Sequence, residues 1–383
     1  MEDYVYRKVL RINMIPNVTY IFMKGRNYRE VTSSNTPNDF YYFYDKFQSN
    51  TEYKVNLLEV NSKKKLNIFN FVYKLYEKNL RRKTNLSFYG NEFLSVNNIK
   101  TVLKSDKIIL VNESVSFSLL LIFSVIKKFK DIEISIFLMG LFTKIDSEIN
   151  LHKKIFYKMM NIYDKFIFLG EGEYKFANNN YPEMSNKFYF LPFSVDQDFW
   201  KYEKISTLEK NKILFLGNDI NRDFEFAFNV AKNCIDRDFL FVSNYFNEYH
   251  NLDNLEIISS DWANQLLSDS EIKKIFNQCL ITLVPLKESL QPSGQSVSLQ
   301  SMSMGVPVLI TKTEGFWDNK NFENKKNIIF INKNEVNVWK KNIDEILSNH
   351  ELYKNLAKNA KNTMLETYNQ ETLFNNFKKI IFD

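Results

Sequence analysis

The stretch QPSGQSVSLQSMSMGVPVLITKTEGFWD, residues 291–318, lies between two apolar runs and carries more chemistry than any other part of the chain. Pro292 and Ser293 stiffen and cap its entry, and Gly294 lets a ligand approach the backbone. The amides of Gly294, Gln295 and Ser296 then stand open at a helix N-terminus, where free N–H groups and the helix dipole together favour a diphosphate. Along that helix Ser298, Ser301 and Ser303 are small enough for close packing, Gly305 ends it, and Pro307 enters a strand at 308–311. On these residues alone, a structural turn without a ligand is an equally good reading.

Working outward, strand and helix signals alternate on both sides, which predicts α/β architecture with parallel sheets. KILFLG (212–217) reads as a strand, and Asn221 caps a helix whose Phe224, Ala227, Phe228 and Ala231 share one face. Strands at 239–242 and 255–259 continue that sheet. Ser268 with Glu271 forms a capping box, and the strand at 280–284 stops at Pro285. The tail from 336 to 381 is almost wholly helical. In the first half, short buried strands fall at 18–23, 54–60, 107–111, 133–138, 165–169 and 187–192, with helical patterns at 66–80 and 116–129. At 383 residues the chain exceeds one ordinary core, so two domains joined near 193–211 are expected.

Composition is that of a folded protein, 44% hydrophobic and 25% charged. Residues 1–8, MEDYVYRK, hold no apolar signal region, and the apolar run at 117–126 is broken by Ser118 and Ser124 and falls short of the roughly 20 residues that span a bilayer. The reading is therefore cytoplasmic. Cys234 and Cys279, each within a helical apolar context, read as core thiols rather than a disulfide or metal ligands. The formal charge is +6, and basic residues cluster at Lys63, Lys64 and Lys65, at Arg81, Arg82 and Lys83, and at Lys127, Lys128 and Lys130. Such clusters are solvated faces or contacts to an anionic membrane; nucleic acid is not expected. No G-x-S-x-G, H-E-x-x-H, Walker or G-x-G-x-x-G motif occurs, which argues against hydrolase, protease, NTPase and dehydrogenase activities.

The 291–318 segment resembles the donor-binding signature of GT-B glycosyltransferases, in particular the large retaining nucleotide-sugar-dependent group (glycosyl transferases group 1, family 4-like). Three further stretches agree in order: FLPFSVDQDFW (190–200) resembles that group's interdomain linker, FLGNDINRD (215–223) its first donor-domain strand and phosphate-side loop, and LLSDSEIKKIFNQCLITLVPL (266–286) the helix and strand leading to the donor loop. The resemblance implies two doubly wound Rossmann-like domains facing a central cleft, with a helical C-terminal tail. Residues 1–192 would bind the acceptor, residues 193–365 the donor, and the helix at 366–383 would return to the first domain.

Carried over, the resemblance places the diphosphate against Arg222, with Gly217 and Asn218 in the phosphate-side loop, and against Pro292, Ser293, Gly294, Gln295 and Ser296. Lys287 would add positive charge to the leaving group, and Glu314 would lie near the cleft. Gln300 stands where the group has the second glutamate of its E-x7-E motif, and Pro292 where it has the first. Glu113, opening a helix after the strand at 107–111, is the leading acceptor-side carboxylate. A helix-start structural role is its plain alternative. His152, His250 and His350 lie away from strand ends. The two D-x-D triplets, 196–198 and 236–238, sit in the linker and at a helix–strand junction, so no metal site is assigned.

The implied activity is metal-independent, retaining transfer from a nucleotide sugar, a co-substrate rather than a bound cofactor. The acceptor would be a glycan or lipid-linked molecule of the cell envelope or a surface polysaccharide, reached from the inner face of the cytoplasmic membrane. Two rivals stand beside it: a nucleotide-sugar epimerase on the same fold, which the scarcity of histidines opposes, and a non-catalytic GT-B binding protein, which the missing motif glutamates favour.

Overall fold

The computed structural model describes residues 15–26, 36–60, 68–145, 148–203, 211–246, 252–261 and 266–383. Two compact units emerge. The first comprises residues 1–29, 43–167 and 186–188, and the second residues 30–42, 168–185 and 189–383. The second unit thus takes in the described stretches 36–42 and 168–185 as well as the chain beyond the 192/193 division expected from sequence.

The first sheet contains β1 (Asn17–Met23), β2 (Lys54–Val60), β3 (Lys107–Val111), β4 (Glu133–Leu138), β5 (Lys165–Phe168) and β6 (Phe188–Phe190), in the order β2-β1-β3-β4-β5-β6. β1 pairs in parallel with β2 and β3, and β3 with β4. Strands such as KIILV at β3 are apolar at nearly every position because helices cover both faces of such a sheet. Three helices of this unit are needed below: α1 (Ile68–Thr84), α2 (Glu113–Ile126) and α3 (Asn150–Ile162).

The second sheet contains β7 (Lys212–Leu216), β8 (Asp238–Val242), β9 (Leu255–Ile258), β10 (Cys279–Val284), β11 (Val308–Thr311) and β12 (Ile329–Ile331). Its order is β12-β11-β10-β7-β8-β9. Around it run α4 (Glu171–Asn180), α5 (Phe224–Asn233), α6 (Asp269–Asn277), α7 (Gln295–Ser303), α8 (Val336–Ser348), α9 (His350–Thr367) and α10 (Gln370–Phe382). One core of Ile213, Phe215, Phe241, Ile281, Leu309 and Trp339 joins the sheet to α5 and α8, and both cysteines are buried free thiols. Strand order reverses between β7 and β10, so the crevice past the C-terminal ends of these two strands is where a doubly wound sheet binds ligands.

Two local expectations change. Asp223, not Asn221, caps α5: its carboxylate accepts the Phe226 amide at 3.2 Å, while Asn221 donates to Ser293 Oγ at 3.1 Å. β12 had no place in the sequence reading because three residues carry too little periodicity to detect. The capping box at Ser268 and Glu271 is present. Among the described residues no helix is long and apolar enough to cross a membrane.

Candidate functional site at the switch point of the second sheet

β7 ends at Leu216, and Gly217 follows with φ +140°, turning the chain into the loop that carries Arg222. That loop is stitched to the exit of β10: Arg222 and Leu286 form an antiparallel bridge, the Asp223 amide donates to Pro285 C=O at 3.0 Å, and the Lys287 amide donates to Asn221 C=O at 2.8 Å. From Leu286 the chain runs to Gly294, which adopts φ +79° as the N-cap of α7 with no side chain capping the first turn.

The Arg222 side chain lies between these two glycines. A Cβ on Gly217 would stand 3.2 Å from its Nε and Nη2, and one on Gly294 would stand 3.1 Å from its Nη1 and 2.5 Å from Val284 Cγ1. Only glycine satisfies both the positive φ and the close approach. Arg222 is 3% exposed, yet its Nε and Nη1 have no hydrogen-bond partner. An unsatisfied buried donor costs about 1–3 kcal/mol, so two on one guanidinium call for an absent acceptor. Burial pulls the Arg222 pKa down to about 10 while nearby Asp219 acts in the opposite sense, so the group is cationic at neutral pH. A buried cation beside the positive end of a helix is electrostatically unfavourable until an anion joins them.

The remaining sequence-derived residues divide by role. Gly217, Arg222, Ser293 and Gly294 converge at this point. Of the amides at 294–296, that of Gln295 donates to Pro292 C=O at 3.4 Å, so the first-turn donors open to a ligand shift toward Ser296 and Val297. The Gln295 side chain donates to Leu169 C=O at 3.0 Å, and Pro292 packs 3.0 Å from where a Gly170 Cβ would be. Both residues therefore brace the 168–172 segment against the loop at 286–294 and the start of α7. Asn218 differs from expectation: its Nδ2 donates to Ser260 C=O at 2.7 Å and its Oδ1 accepts from Ser243 Oγ and the Asn244 amide at 2.7 and 2.8 Å, which ties the ends of β7, β8 and β9 together.

Lys287 is exposed and lines a surface groove with Ile220, Asp223, Phe224, Glu225 and Tyr245. The Glu314 side chain is exposed, while its carbonyl presses on Gly172, where a Cβ would come within 1.8 Å.

Gln300 is held by a residue that no sequence signal identified. Its Nε2 donates to Asp39 Oδ2 at 2.9 Å, and the same oxygen accepts from Trp200 Nε1 at 2.6 Å. Asp39 is 1% exposed, and burial, opposed by hydrogen bonds from Gln300, Asp196 and Trp200, lifts its carboxyl to about 7. A carboxylate from residues 36–42 thus meets the glutamine of α7.

In the first unit Glu113 is wholly buried at the start of α2. Its carboxylate accepts from the Met139 amide and pairs with Lys144 Nζ at 2.9 Å, fastening the exit of β4. That is the helix-start structural role rather than a free acceptor-side carboxylate. His152 is buried with Nε2 2.7 Å from Thr84 C=O, His350 begins α9, and His250 lies outside the described residues. Asp196 accepts the Phe199 and Asn38 amides at 3.1 Å each, and Asp236 pairs with Arg237 at 3.5 Å. Among the described residues no group of three or more His, Cys, Asp or Glu side chains is placed to hold a metal ion.

The two doubly wound sheets are the fold of GT-B glycosyltransferases. Residues 246–363 match the model of the family described as glycosyl transferases group 1. No curated protein matches the chain. Among solved structures it is similar to the sucrose-phosphate synthase of Thermosynechococcus elongatus, at 10% identity and TM-score 0.66 over 95% of this chain and 98% of that one. HepE of Anabaena in complex with UDP and glucose is similar at 11% identity and TM-score 0.65, over 94% and 98% of the two chains. TarM is similar at 10% identity and TM-score 0.62, over 97% and 99%. The match to glycosyl transferases group 1 thus lies within the second unit, on a fold shared with solved GT-B glycosyltransferases.

Proposed function

We propose that the protein transfers a sugar from a nucleotide-sugar donor, with retention and without a metal ion, to a glycan or lipid-linked acceptor of the cell envelope, working as a peripheral protein at an anionic membrane. The observation that carries the donor assignment is the buried Arg222 with two unpartnered nitrogens, set between Gly217 and Gly294 beside the uncapped start of α7. A diphosphate supplies what this cradle lacks: acceptor oxygens for a forked donor and negative charge for a helix N-terminus.

The chemistry follows from charge. As the glycosidic bond breaks, the leaving diphosphate gains negative charge, and groups already fixed at that place lower the barrier without reorganising. Arg222 and the amides of Ser296 and Val297 are so fixed, and the exposed Lys287 is long enough to add a mobile positive charge. Such charge stabilisation does the work that a bridging cation does in metal-dependent transferases. Gln300, held through its Nε2 by the buried Asp39 carboxylate, keeps its side-chain carbonyl as the acceptor for a donor ribose. Titration with nucleoside diphosphates and nucleotide sugars, followed by release of labelled sugar from the donor in excess EDTA, tests this reading. Binding without any transfer to envelope glycan or lipid fractions would leave a binding protein, and interconversion of sugar epimers would leave an epimerase.

A further inference from the structure

The exposed side of α1 is unlike a solvated helix. Phe71, Val72, Leu75 and Tyr76 are 54, 60, 51 and 45% exposed, while Tyr73, Leu80 and Thr84 turn inward with Glu77. The apolar side chains occupy the first turns of this face, and exposed Lys78, Arg82 and Lys83 occupy the last, with Lys74 on its flank. The only carboxylate of α1, Glu77, is buried and accepts the Gly90 and Asn91 amides at 2.5 and 3.2 Å.

Beside α1 lies α3, which has no acidic residue at all and exposes Lys153, Lys154, Lys158 and the 46% exposed Tyr157. A crevice of about 160 Å³ between the two helices is lined by Tyr73, Tyr76, Leu80 and Ile155, with Lys154 and Lys158 beside them. Of the other basic clusters noted in the sequence, Lys128, beside Phe129 and Val125, is the one member exposed among the described residues off α1. Lys127 pairs with Asp164 at 2.6 Å, Lys130 caps the Leu103 and Ser105 carbonyls, and Lys63, Lys64 and Lys65 lie outside the described residues.

From this juxtaposition we infer that the α1–α3 face of the first unit is a docking surface for an anionic lipid bilayer. Five large apolar or aromatic side chains mixed with seven basic ones and no exposed carboxylate on either helix match the interfacial zone, where apolar groups enter the acyl boundary and lysines and arginines reach the headgroup phosphates. A protein partner would have to satisfy the same seven cations while burying them, and patches at protein interfaces are depleted in lysine. The surface deepens the membrane-facing part of the proposed function, and it stands or falls separately from the donor site.

Co-sedimentation of the full chain with vesicles of phosphatidylcholine, alone or mixed with phosphatidylglycerol, at low and high salt tests it. The protein is expected to pellet with the mixed vesicles at low salt, to be partly released by high salt, and to ignore phosphatidylcholine alone. At about one kcal/mol per basic residue, Lys78→Gln with Arg82→Gln should weaken partitioning roughly thirty-fold. Phe71→Ser with Leu75→Ser should abolish the binding that survives high salt. The charge-matched pair Lys354→Gln with Lys361→Gln, on exposed positions of α9, should change nothing. Equal loss with the α9 pair, or no vesicle binding by the wild type, would overturn the surface. So would a dimer seen by light scattering that Leu75→Ser dissolves. A nucleoside diphosphate thermal shift run on the same samples separates the readings: if it persists while vesicle binding is absent, the bilayer surface alone is wrong.

Discussion

Arg222→Met separates a ligand-binding arginine from a structural one, because the two roles predict opposite effects. In the ligand-free protein the native guanidinium leaves Nε and Nη1 buried and unpartnered, at about 1–3 kcal/mol each. Methionine keeps most of the volume and the backbone bridge to Leu286 while deleting those donors. Ligand-free stability should hold within about 1 kcal/mol or rise, which for a domain of this size keeps the melting temperature within roughly 4 °C of wild type. Binding should behave in the opposite way. Two charge-assisted hydrogen bonds at about 1.5–3 kcal/mol each amount to ~3–6 kcal/mol, or roughly 10²- to 10⁴-fold in the dissociation constant. Thermal shift with nucleoside diphosphates gives the readout. A ligand at about 100 times the wild-type Kd adds ~2.7 kcal/mol, and the same concentration adds only ~0.4 kcal/mol once Kd rises a hundredfold. A variant that melts far below wild type yet keeps its nucleotide affinity would make Arg222 a structural residue and refute the reasoning.

The two αL glycines should behave differently. Gly294→Ala meets Val284 at 2.5 Å and should cost roughly 2–5 kcal/mol and abolish nucleotide binding, whereas Gly305→Ala, with nothing within 4 Å, should cost only the ~1–2 kcal/mol of the left-handed backbone and leave binding intact. Equal nucleotide affinity in both would remove Gly294 from the site. Asp39 predicts a pH effect: its folded value near 7 stands above its ordinary 3.8, so its contribution to stability is complete below about pH 4 and is lost as pH rises through 7. Asp39→Asn should therefore gain on wild type in melting temperature between pH 5 and pH 8, by about 1.4 kcal/mol for each pH unit between folded and unfolded values at most, and parallel curves would refute that role. Glu77, also lifted to about 7 by burial, keeps a residual slope in both proteins. Gln300→Glu, which restores the related group's carboxylate, should destabilise the protein at neutral pH because it faces Asp39 at 2.9 Å, and adding Asp39→Asn should rescue it. Sugar release from the donor should continue in excess EDTA; loss of activity that magnesium or manganese restores would end the metal-free mechanism.

The readable parts of the chain were those with local causes. Apolar runs bounded by turn residues predicted the strands at 54–60, 107–111, 133–138 and 308–311 as they stand, and the Ser268–Glu271 spacing located a capping box. Gly217, Arg222, Ser293 and Gly294 were legible as neighbours because each stands at a strand exit or a helix start of the same sheet, and the structure brings them together. Residues whose roles depend on distant partners were not legible. Asp39 meets Gln300 across 261 positions of sequence, and only the three-dimensional fold joins them. Asn218 and Glu113 sit at strand ends, where ligands bind, but each spends its polar atoms on the protein. Position relative to a strand end therefore selects candidates, and hydrogen-bond occupancy decides among them. Gly170, just before α4, and Gly172, in its first turn, were the available sign that another segment packs there, and Pro292 and Glu314 fill that space.

The central claim is that Arg222 and the start of α7 hold the donor diphosphate, and a crystal structure with a bound nucleoside diphosphate tests it most directly. The expected result places phosphate oxygens about 2.7–2.9 Å from Arg222 Nε or Nη1, with others accepting from the Ser296 and Val297 amides. A diphosphate bound elsewhere, with both Arg222 nitrogens still unpartnered, would contradict it.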